Sequence, residues 1–156
     1  RAYGVAVRSA LRLSDIVIGT QDEIKAAAGT ARFDVEHAQH NEARVEGDLA
    51  AAVEVLLALG PEVLVEKRGS AGARVHLSDG SGPDVPGFKV EVQNTLGAGD
   101  AFAAGFLYGY AHGWDLYRAA RFGNACGALV VNRHACAAST PTHAEVTAFI
   151  EAQGGL

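Results

Sequence analysis

The chain is organised around one nine-residue stretch, Asn94-Thr95-Leu96-Gly97-Ala98-Gly99-Asp100-Ala101-Phe102. Gly97 and Gly99 have no side chain to keep a ligand away from the backbone, and the apolar residues that follow predict a buried helix. The first N–H groups of a helix have no partner within the helix, and the helix dipole places partial positive charge there. The stretch therefore predicts a site for a phosphate or another anion, with the carboxylate of Asp100 beside it.

The same pattern also has a purely structural interpretation. Aspartate is favoured in the first turn of any helix, and Gly97-Ala98-Gly99 would also serve as a tight connection between a strand and a helix. Because a short glycine signature is weak without its context, the residues alone leave both interpretations open.

Length, charge and hydropathy limit the classes of function. The 156 residues suffice for one domain with a sizeable core, and we predict a single domain over residues 1–156. The net charge is −5 and the basic residues are scattered, which argues against nucleic acid or an anionic membrane as a partner. No apolar run approaches the ~20 residues of a membrane span, and residues 1–4 do not resemble a secretory signal, so we expect a cytoplasmic protein. The absence of Met even at position 1 suggests a fragment or a processed chain.

Cysteine and histidine do not predict a metal site. Cys126 and Cys136 are ten residues apart, which matches no metal-ligand spacing, and we expect free, buried thiols. The six histidines include no H-x-x-x-H pair, and His37 and His40 lie in a polar stretch typical of a solvated face.

Helical and strand patterns alternate along the chain. Thr20-Gln21-Asp22-Glu23 is a T-x-x-E capping box that opens one helix, and Thr142 with Glu145 opens the last. Loops are predicted at 30–46 and 78–87. Helices are predicted at 6–13, 20–28, 47–59, 100–110, 116–131 and 142–150, and strands at 15–19, 62–66, 73–77 and 88–92. This order favours an α/β fold with a mainly parallel sheet flanked by helices.

The nine-residue stretch closely resembles the second signature of the ribokinase-like (PfkB) carbohydrate kinases, written [D/N]-T-x-G-A-G-D. The resemblance implies that the amides of Gly97, Ala98 and Gly99 form an anion hole and that Asp100 is the base that deprotonates the sugar hydroxyl. It covers only the C-terminal half of the ribokinase-like fold, without the β lid over the sugar and without most of the sugar-binding residues.

The capping box of residues 20–23 matches a second feature of this family. Relatives have N-x-x-E at this strand end, and the Glu helps to hold the magnesium–nucleotide complex, usually through water. Glu23 matches that Glu, whereas Thr20 replaces the Asn. Since the capping role alone also explains Glu23, the structural alternative stays open.

The loop of residues 67–72 is ordinary turn composition by itself. In the resembled family the corresponding loop lies along the phosphates and ribose of the nucleotide. The resemblance therefore implies nucleotide contacts by Gly69, Ser70 and Gly72, with Lys67 or Arg68 as phosphate partners.

The helix predicted at 116–131 is rich in small residues, which close packing alone would explain. The family places the adenine of ATP beside this helix, and Asn124 matches an Asn that lines the base pocket in relatives. Cys126 and Ala128 are weaker candidates for the same pocket.

The loop of residues 132–141 is used by relatives, together with backbone near Asn94, to coordinate a monovalent cation such as K⁺. Relatives commonly have Gly at the position of Ala135 and Asp at that of Asn94, so a bound cation and its absence both stay open. The phrase Arg133-His134-x-Cys136-Ala137 and the stretch 15–20 look most like the kinases of inositol catabolism that act on 5-dehydro-2-deoxygluconate.

The resemblance implies a kinase that uses ATP and Mg²⁺ to phosphorylate the primary hydroxyl of a sugar or sugar acid. The alternatives for the acceptor are 2-dehydro-3-deoxygluconate, ribose and fructose, and a non-catalytic nucleotide-binding module is the alternative from another class. We expect little or no activity from this chain alone. A homodimer of the full-length enzyme also stays open, because the usual family dimer contacts involve the lid.

Overall fold

A computed structural model describes residues 2–29, 32–33, 45–133 and 140–155. Its elements, in chain order, are α1 (Ala2–Leu11), β1 (Ile16–Thr20), α2 (Gln21–Ala28), β2 (Arg32–Phe33), β3 (Val45–Glu46), α3 (Leu49–Leu57), β4 (Val63–Lys67), β5 (Ala73–Leu77), β6 (Asp84–Val85), α4 (Ala98–Ala111), α5 (Leu116–Val131) and α6 (His143–Ala152). The chain forms two compact units, the first of residues 1–67 and 76–82, the second of residues 68–75 and 83–156.

The α/β class, with a sheet flanked by helices, is confirmed. Four strands follow the order β1-β4-β5-β6 in one sheet. Strands β1 and β4 are parallel, with Ile16 opposite Val63 and Thr20 opposite Lys67, because helices α2 and α3 provide the crossover that parallel neighbours need. Strands β5 and β6, joined by a short connection, are antiparallel. A second, two-stranded sheet pairs β2 with β3.

The core of the first unit lies where α1, α2 and α3 pack with β1 and β4. Ile24, Leu56 and Leu64 are each at most 1% exposed and belong to one apolar cluster. The predicted capping box in this unit is confirmed, since Thr20 and Glu23 form the reciprocal contacts at the start of α2. Asp48 caps α3 by accepting the N–H groups of its first turn.

The core of the second unit is built by α4, α5 and α6. The two long helices approach closely, since a Cβ added at Gly105 would lie 2.7 Å from Cys126 Sγ, and one at Gly123 would lie 2.8 Å from the carbonyl oxygen of Phe102. The prediction that small residues of α5 serve close packing is confirmed. Val146 and Ile150 of α6 close the cluster from the other side.

Three predictions of local structure are wrong. Residues 88–92 form no regular strand, although Phe88 is buried and Lys89 exposed, because alternation makes a strand only where a neighbour offers hydrogen bonds. The predicted loop 78–87 contains β6, and the described parts of 30–46 form β2 and β3. Very short strands carry too few residues for a recognisable period.

The capping box of α6 makes the stability of the protein depend on pH. The pKa of Glu145 is lowered from 4.5 to about 2, first by the backbone N–H of Thr142, then by its hydroxyl and by the guanidinium of Arg133. The unfolded chain therefore binds a proton that the folded chain does not, and the stabilisation, complete above about pH 4.5, is lost as the pH falls toward 2.

We expect Glu145→Gln to flatten this pH dependence, because Gln can keep the cap but carries no titratable charge. The measurement is urea unfolding of both proteins at intervals from pH 6 to pH 2. If the unfolding free energies of the two proteins change with pH in the same way, Glu145 is not the source of the pH dependence.

Candidate active site

Helix α4 begins in the geometry that the glycine-bearing stretch predicts. Gly97 is the N-cap residue in the left-handed region, with φ 84° and ψ −6°, and no side chain caps the helix. Ala98 N–H turns back to the carbonyl of Thr95 at 3.3 Å, and Ala101 N–H makes the first intrahelical bond, to Gly97 at 3.0 Å. The N–H groups of Gly99 and Asp100 have no carbonyl four residues earlier within the helix. The exposed start of α4 can therefore take an anion.

The segment before α4 is tied to the end of α5. The N–H groups of Gln93 and Asn94 both donate to the carbonyl oxygen of Val131, at 2.8 and 3.1 Å. The side-chain oxygen of Asn94 accepts the N–H of Leu96 at 3.0 Å, an Asx turn that shapes the approach to Gly97. This contact uses one of the two acceptor positions of the Asn94 side-chain oxygen, and a role of Asn94 toward a cation stays a prediction.

Asp100 lies in the first turn of α4 and is exposed. Within the described residues, nothing forms an ion pair or a hydrogen bond with its carboxylate. A carboxylate that no described residue engages, next to the first N–H groups of a helix, can accept a proton from a hydroxyl while the N–H groups bind the phosphoryl group that the hydroxyl attacks.

Glu23 has the structural role that the sequence left open. Its Oε2 accepts the Thr20 N–H at 2.6 Å and lies 3.8 Å from the Nζ of Lys67. The side chain is nevertheless 59% exposed, and none of the described residues contacts Oε1. The capping box therefore leaves one carboxylate oxygen available to a water or a hydrated metal ion.

In the loop of residues 68–72, Arg68 and Gly72 have structural tasks. Arg68 pairs with Asp84 and donates to the carbonyl of Ala73 at 3.2 Å, so its guanidinium is already bound within the protein. Gly72, at φ 95°, lies so close to the next segment that an added Cβ would be 2.1 Å from the carbonyl oxygen of Val85. At Gly69, by contrast, an added Cβ would meet nothing within 4 Å. Gly69 faces open space, Ser70 is exposed, and both stay candidates for nucleotide contact.

Asn124 is buried, and its amide is used inside the protein. Its Nδ2 donates to the carbonyls of Val85 and Pro86, at 3.3 and 3.1 Å. Arg121 supports the same segment: it donates to Pro86 at 2.7 Å and its guanidinium lies 3.6 Å from the ring centre of Phe88. Sequence reasoning missed Arg121, since a single arginine in a helix carries no motif, and the structure shows it half-buried. The predicted adenine contact of Asn124 stays a prediction.

Other predicted residues divide between the core and positions outside the described ranges. Cys126 is a free, buried thiol, and burial raises its pKa to about 12, which makes it inert; Ala128 is also buried. His37, His40, Ala135 and Cys136 lie outside the described residues, as does most of the predicted cation loop.

Metal binding by protein side chains alone is not supported within the described ranges, where no three His, Cys, Asp or Glu side chains are grouped to hold an ion. Mg²⁺ requires less, because it keeps several waters and commonly binds through one or two carboxylates and the substrate phosphates. Glu23, with one oxygen available, fits that mode.

Among the described helices, none combines the length and the apolar character that a membrane crossing requires.

The class of protein follows from a solved structure with the same fold. A protein from E. coli described as a ribokinase II, solved in complex with ATP and Mg²⁺, superposes with a TM-score of 0.77 at 26% identity, over 94% of this chain and 42% of that one. The chain thus has the ribokinase-like kinase fold.

The family is shown by the sequence comparison. The model of the pfkB family of carbohydrate kinases matches residues 4–143, and the chain belongs to that family. Two curated relatives, both named 5-dehydro-2-deoxygluconokinase, are those of Bacillus licheniformis, 35% identical over 140 residues, and Shouchella clausii, 34% identical over 141 residues. Each alignment covers 90% of this chain but 39% of the relative, so the chain spans about two fifths of their length.

Proposed function

We propose that this chain is the nucleotide-binding and catalytic portion of an ATP-dependent kinase for the primary hydroxyl of a sugar or sugar acid. The observation that carries the proposal is the start of α4, where Gly97 brings no side-chain cap to the helix N–H groups and Asp100 stands beside them without an ion pair or hydrogen bond to any described residue. Membership of the pfkB family supports the same chemistry.

The residues divide the work of phosphoryl transfer. The N–H groups at Gly97 and Gly99, together with that of Ala98 once it releases its 3.3 Å bond to the Thr95 carbonyl, bind the oxygens of the transferred phosphoryl group and stabilise the charge that they carry. Asp100 orients the acceptor hydroxyl and takes its proton as the oxygen attacks in line. Such transfer depends mainly on positioning and charge stabilisation, which a rigid helix start supplies.

Glu23 and the loop at Gly69 and Ser70 are proposed to serve the nucleotide. Glu23 offers Oε1 to the hydration shell of a magnesium ion, and Lys67 holds the other oxygen of the same carboxylate. When bound, Mg²⁺ neutralises charge on the nucleotide phosphates. Gly69 and Ser70 are exposed, and the open space around Gly69 allows a phosphate or ribose to approach its backbone.

We propose 5-dehydro-2-deoxygluconate as the acceptor, phosphorylated at its 6-position, because the named relatives carry that specificity in their names. The identities of 34–35% and the partial coverage leave 2-dehydro-3-deoxygluconate, ribose and fructose as rivals. Cytoplasmic location, a homodimer of the full-length enzyme and a bound K⁺ stay predictions.

The deciding experiment is a substrate panel on the full-length protein with its own sugar-binding portion, because a portion taken from a relative would impose that relative's specificity. Transfer from ATP to each of the four acceptors is followed by ³¹P NMR of the product. We expect phosphorylation of 5-dehydro-2-deoxygluconate at the highest kcat/KM. Binding of ATP without transfer to any acceptor would instead favour a non-catalytic nucleotide-binding module.

The role of Glu23 has its own test, because its structural and functional roles can be separated. Gln at the third helical position preserves a capping box, so Glu23→Gln should fold with little change in stability. We expect it to weaken binding of ATP in the presence of Mg²⁺ by about tenfold, the order of one hydrogen bond to a charged group, with no change for ATP alone. Calorimetric titration of both proteins with ATP, with and without Mg²⁺, gives the comparison. Equal affinities of the two proteins for Mg²⁺–ATP would contradict the assignment.

A further inference from the structure

Glu66 is a buried carboxylate on a strand whose preceding residues are apolar. Only 3% of its surface is exposed, and β4 otherwise buries Val63, Leu64 and Val65. Among the described residues, Glu66 and Asn124 are the two polar side chains that are fully buried. Burial of a carboxylate is costly unless hydrogen bonds compensate it, so the partners of Glu66 should explain its presence.

Each oxygen of Glu66 has one side-chain partner. Oε1 accepts a hydrogen bond from the Nε2 of Gln21 at 2.6 Å, and Oε2 lies 2.9 Å from the Nε2 of His76. Gln21 is the first residue of α2, whereas His76 belongs to β5. The three residues thus form a chain, His76–Glu66–Gln21, that connects two strands to the start of a helix within the first unit.

The start of that helix carries Glu23. The register of the parallel pair places Glu66 opposite Gly19 and Lys67 opposite Thr20, directly before α2 begins. Lys67 then contacts the carboxylate of Glu23 at 3.8 Å. Two successive residues of β4 therefore hold the first turn of α2, one through Gln21 and one through Glu23 itself.

We propose that Glu66 is a positioning residue, which through Gln21 fixes the first turn of α2 and thereby the carboxylate of Glu23 for the magnesium–nucleotide complex. His76 holds the second oxygen of Glu66 and so prevents the carboxylate from rotating away from Gln21. This inference rests on the proposed function of Glu23 in nucleotide binding.

Stability alone does not account for Glu66. Replacement of a buried ion by an apolar side chain of similar volume is commonly neutral or stabilising. Leu64 lies two residues earlier, on the same face of β4, and belongs to the apolar cluster under α1, α2 and α3. An apolar residue at 66 would extend that cluster, and the exposed Gln21 could bind water instead.

The first test measures the anchoring directly, without metal or nucleotide. Glu66→Leu removes the contacts with Gln21 and His76, whereas Glu66→Gln keeps an acceptor for Gln21. The matched control is Glu62→Gln, which changes an exposed glutamate just before the same strand. We expect Glu66→Leu to increase the hydrogen-exchange rate of the Glu23 amide about tenfold. The Ala52 amide of α3 serves as the reference for opening of the whole unit, and its exchange rate should change less. The other two variants should match the wild type. Unchanged exchange at Glu23 in Glu66→Leu, or equal acceleration in Glu66→Gln, would overturn the proposal.

The second test measures the consequence for the nucleotide by calorimetric titration of the same four proteins. We expect Glu66→Leu to lower the affinity for Mg²⁺–ATP about tenfold and to leave the affinity for ATP alone unchanged. If Glu66 has only a structural role, the substitution will lower both affinities equally. If the wild type shows Mg²⁺-dependent affinity and Glu66→Leu retains it, the positioning role is wrong and the proposed function stands. If the wild type shows no Mg²⁺ dependence, the proposed role of Glu23 is wrong, and that of Glu66 falls with it.

Discussion

Asp100→Asn is expected to lower kcat for phosphoryl transfer by about 10²–10⁴-fold, the contribution of one general base. The carboxamide has nearly the shape of the carboxylate but cannot accept the proton of the acceptor hydroxyl. Since the described residues make no contact with the carboxylate, the substitution breaks no ion pair or hydrogen bond, and the unfolding free energy should stay close to that of the wild type. The measurement is steady-state kinetics of the full-length form, together with the affinity for ATP.

The matched control for this prediction is Asp115→Asn. Asp115 is also an aspartate at a helix start of the second unit, where it caps α5 by accepting the N–H of Arg118 at 2.9 Å. Because Asn caps helices about as well as Asp, this variant should keep both stability and kcat. A near wild-type rate for Asp100→Asn would remove the base from the proposed mechanism and leave Asp100 as a residue that merely favours the helix start.

Local signals explain what could be predicted of the fold. A capping box such as Thr20 with Glu23 is written in four consecutive residues, and the bonds that it predicts lie within those residues. The strand predicted at 88–92 failed because its alternation is also local, whereas a strand depends on a neighbour from elsewhere in the chain.

The candidate site divides in the same way. The start of α4 with Asp100 could be predicted because one continuous stretch builds it. The pairing of Glu66 with Gln21 and His76 joins residues 45 and 10 positions apart, and no spacing in the sequence announces it. Gly72 shows the converse case: its pattern indicates a ligand loop, and the close approach of a distant backbone independently requires glycine there. Its nucleotide contact stays a prediction.

Gly72→Ala is therefore expected to destabilise the protein strongly even without nucleotide. The native φ of 95° is unfavourable for any residue with a Cβ, and that Cβ would lie 2.1 Å from the Val85 carbonyl oxygen and 2.4 Å from the Gly87 nitrogen. Backbone strain of about 1–3 kcal/mol and overpacking of about 1–3 kcal/mol together predict a loss of about 2–6 kcal/mol. Urea unfolding of the nucleotide-free protein measures this loss.

Two further alanine variants separate the causes of that loss. Gly69→Ala, at φ 58° and with open space around the added Cβ, carries the strain without the collision and should cost about 1 kcal/mol. In Gly87→Ala the added Cβ would lie 2.4 Å from the carbonyl oxygen of Ser70, on the other side of the same close approach. This collision should lower the unfolding free energy by about 1–3 kcal/mol. If Gly72 serves only to let a nucleotide approach, Gly72→Ala will unfold at the same urea concentration as the wild type. In that case the backbone contact of Gly72 with Val85 and Gly87 does not constrain the loop.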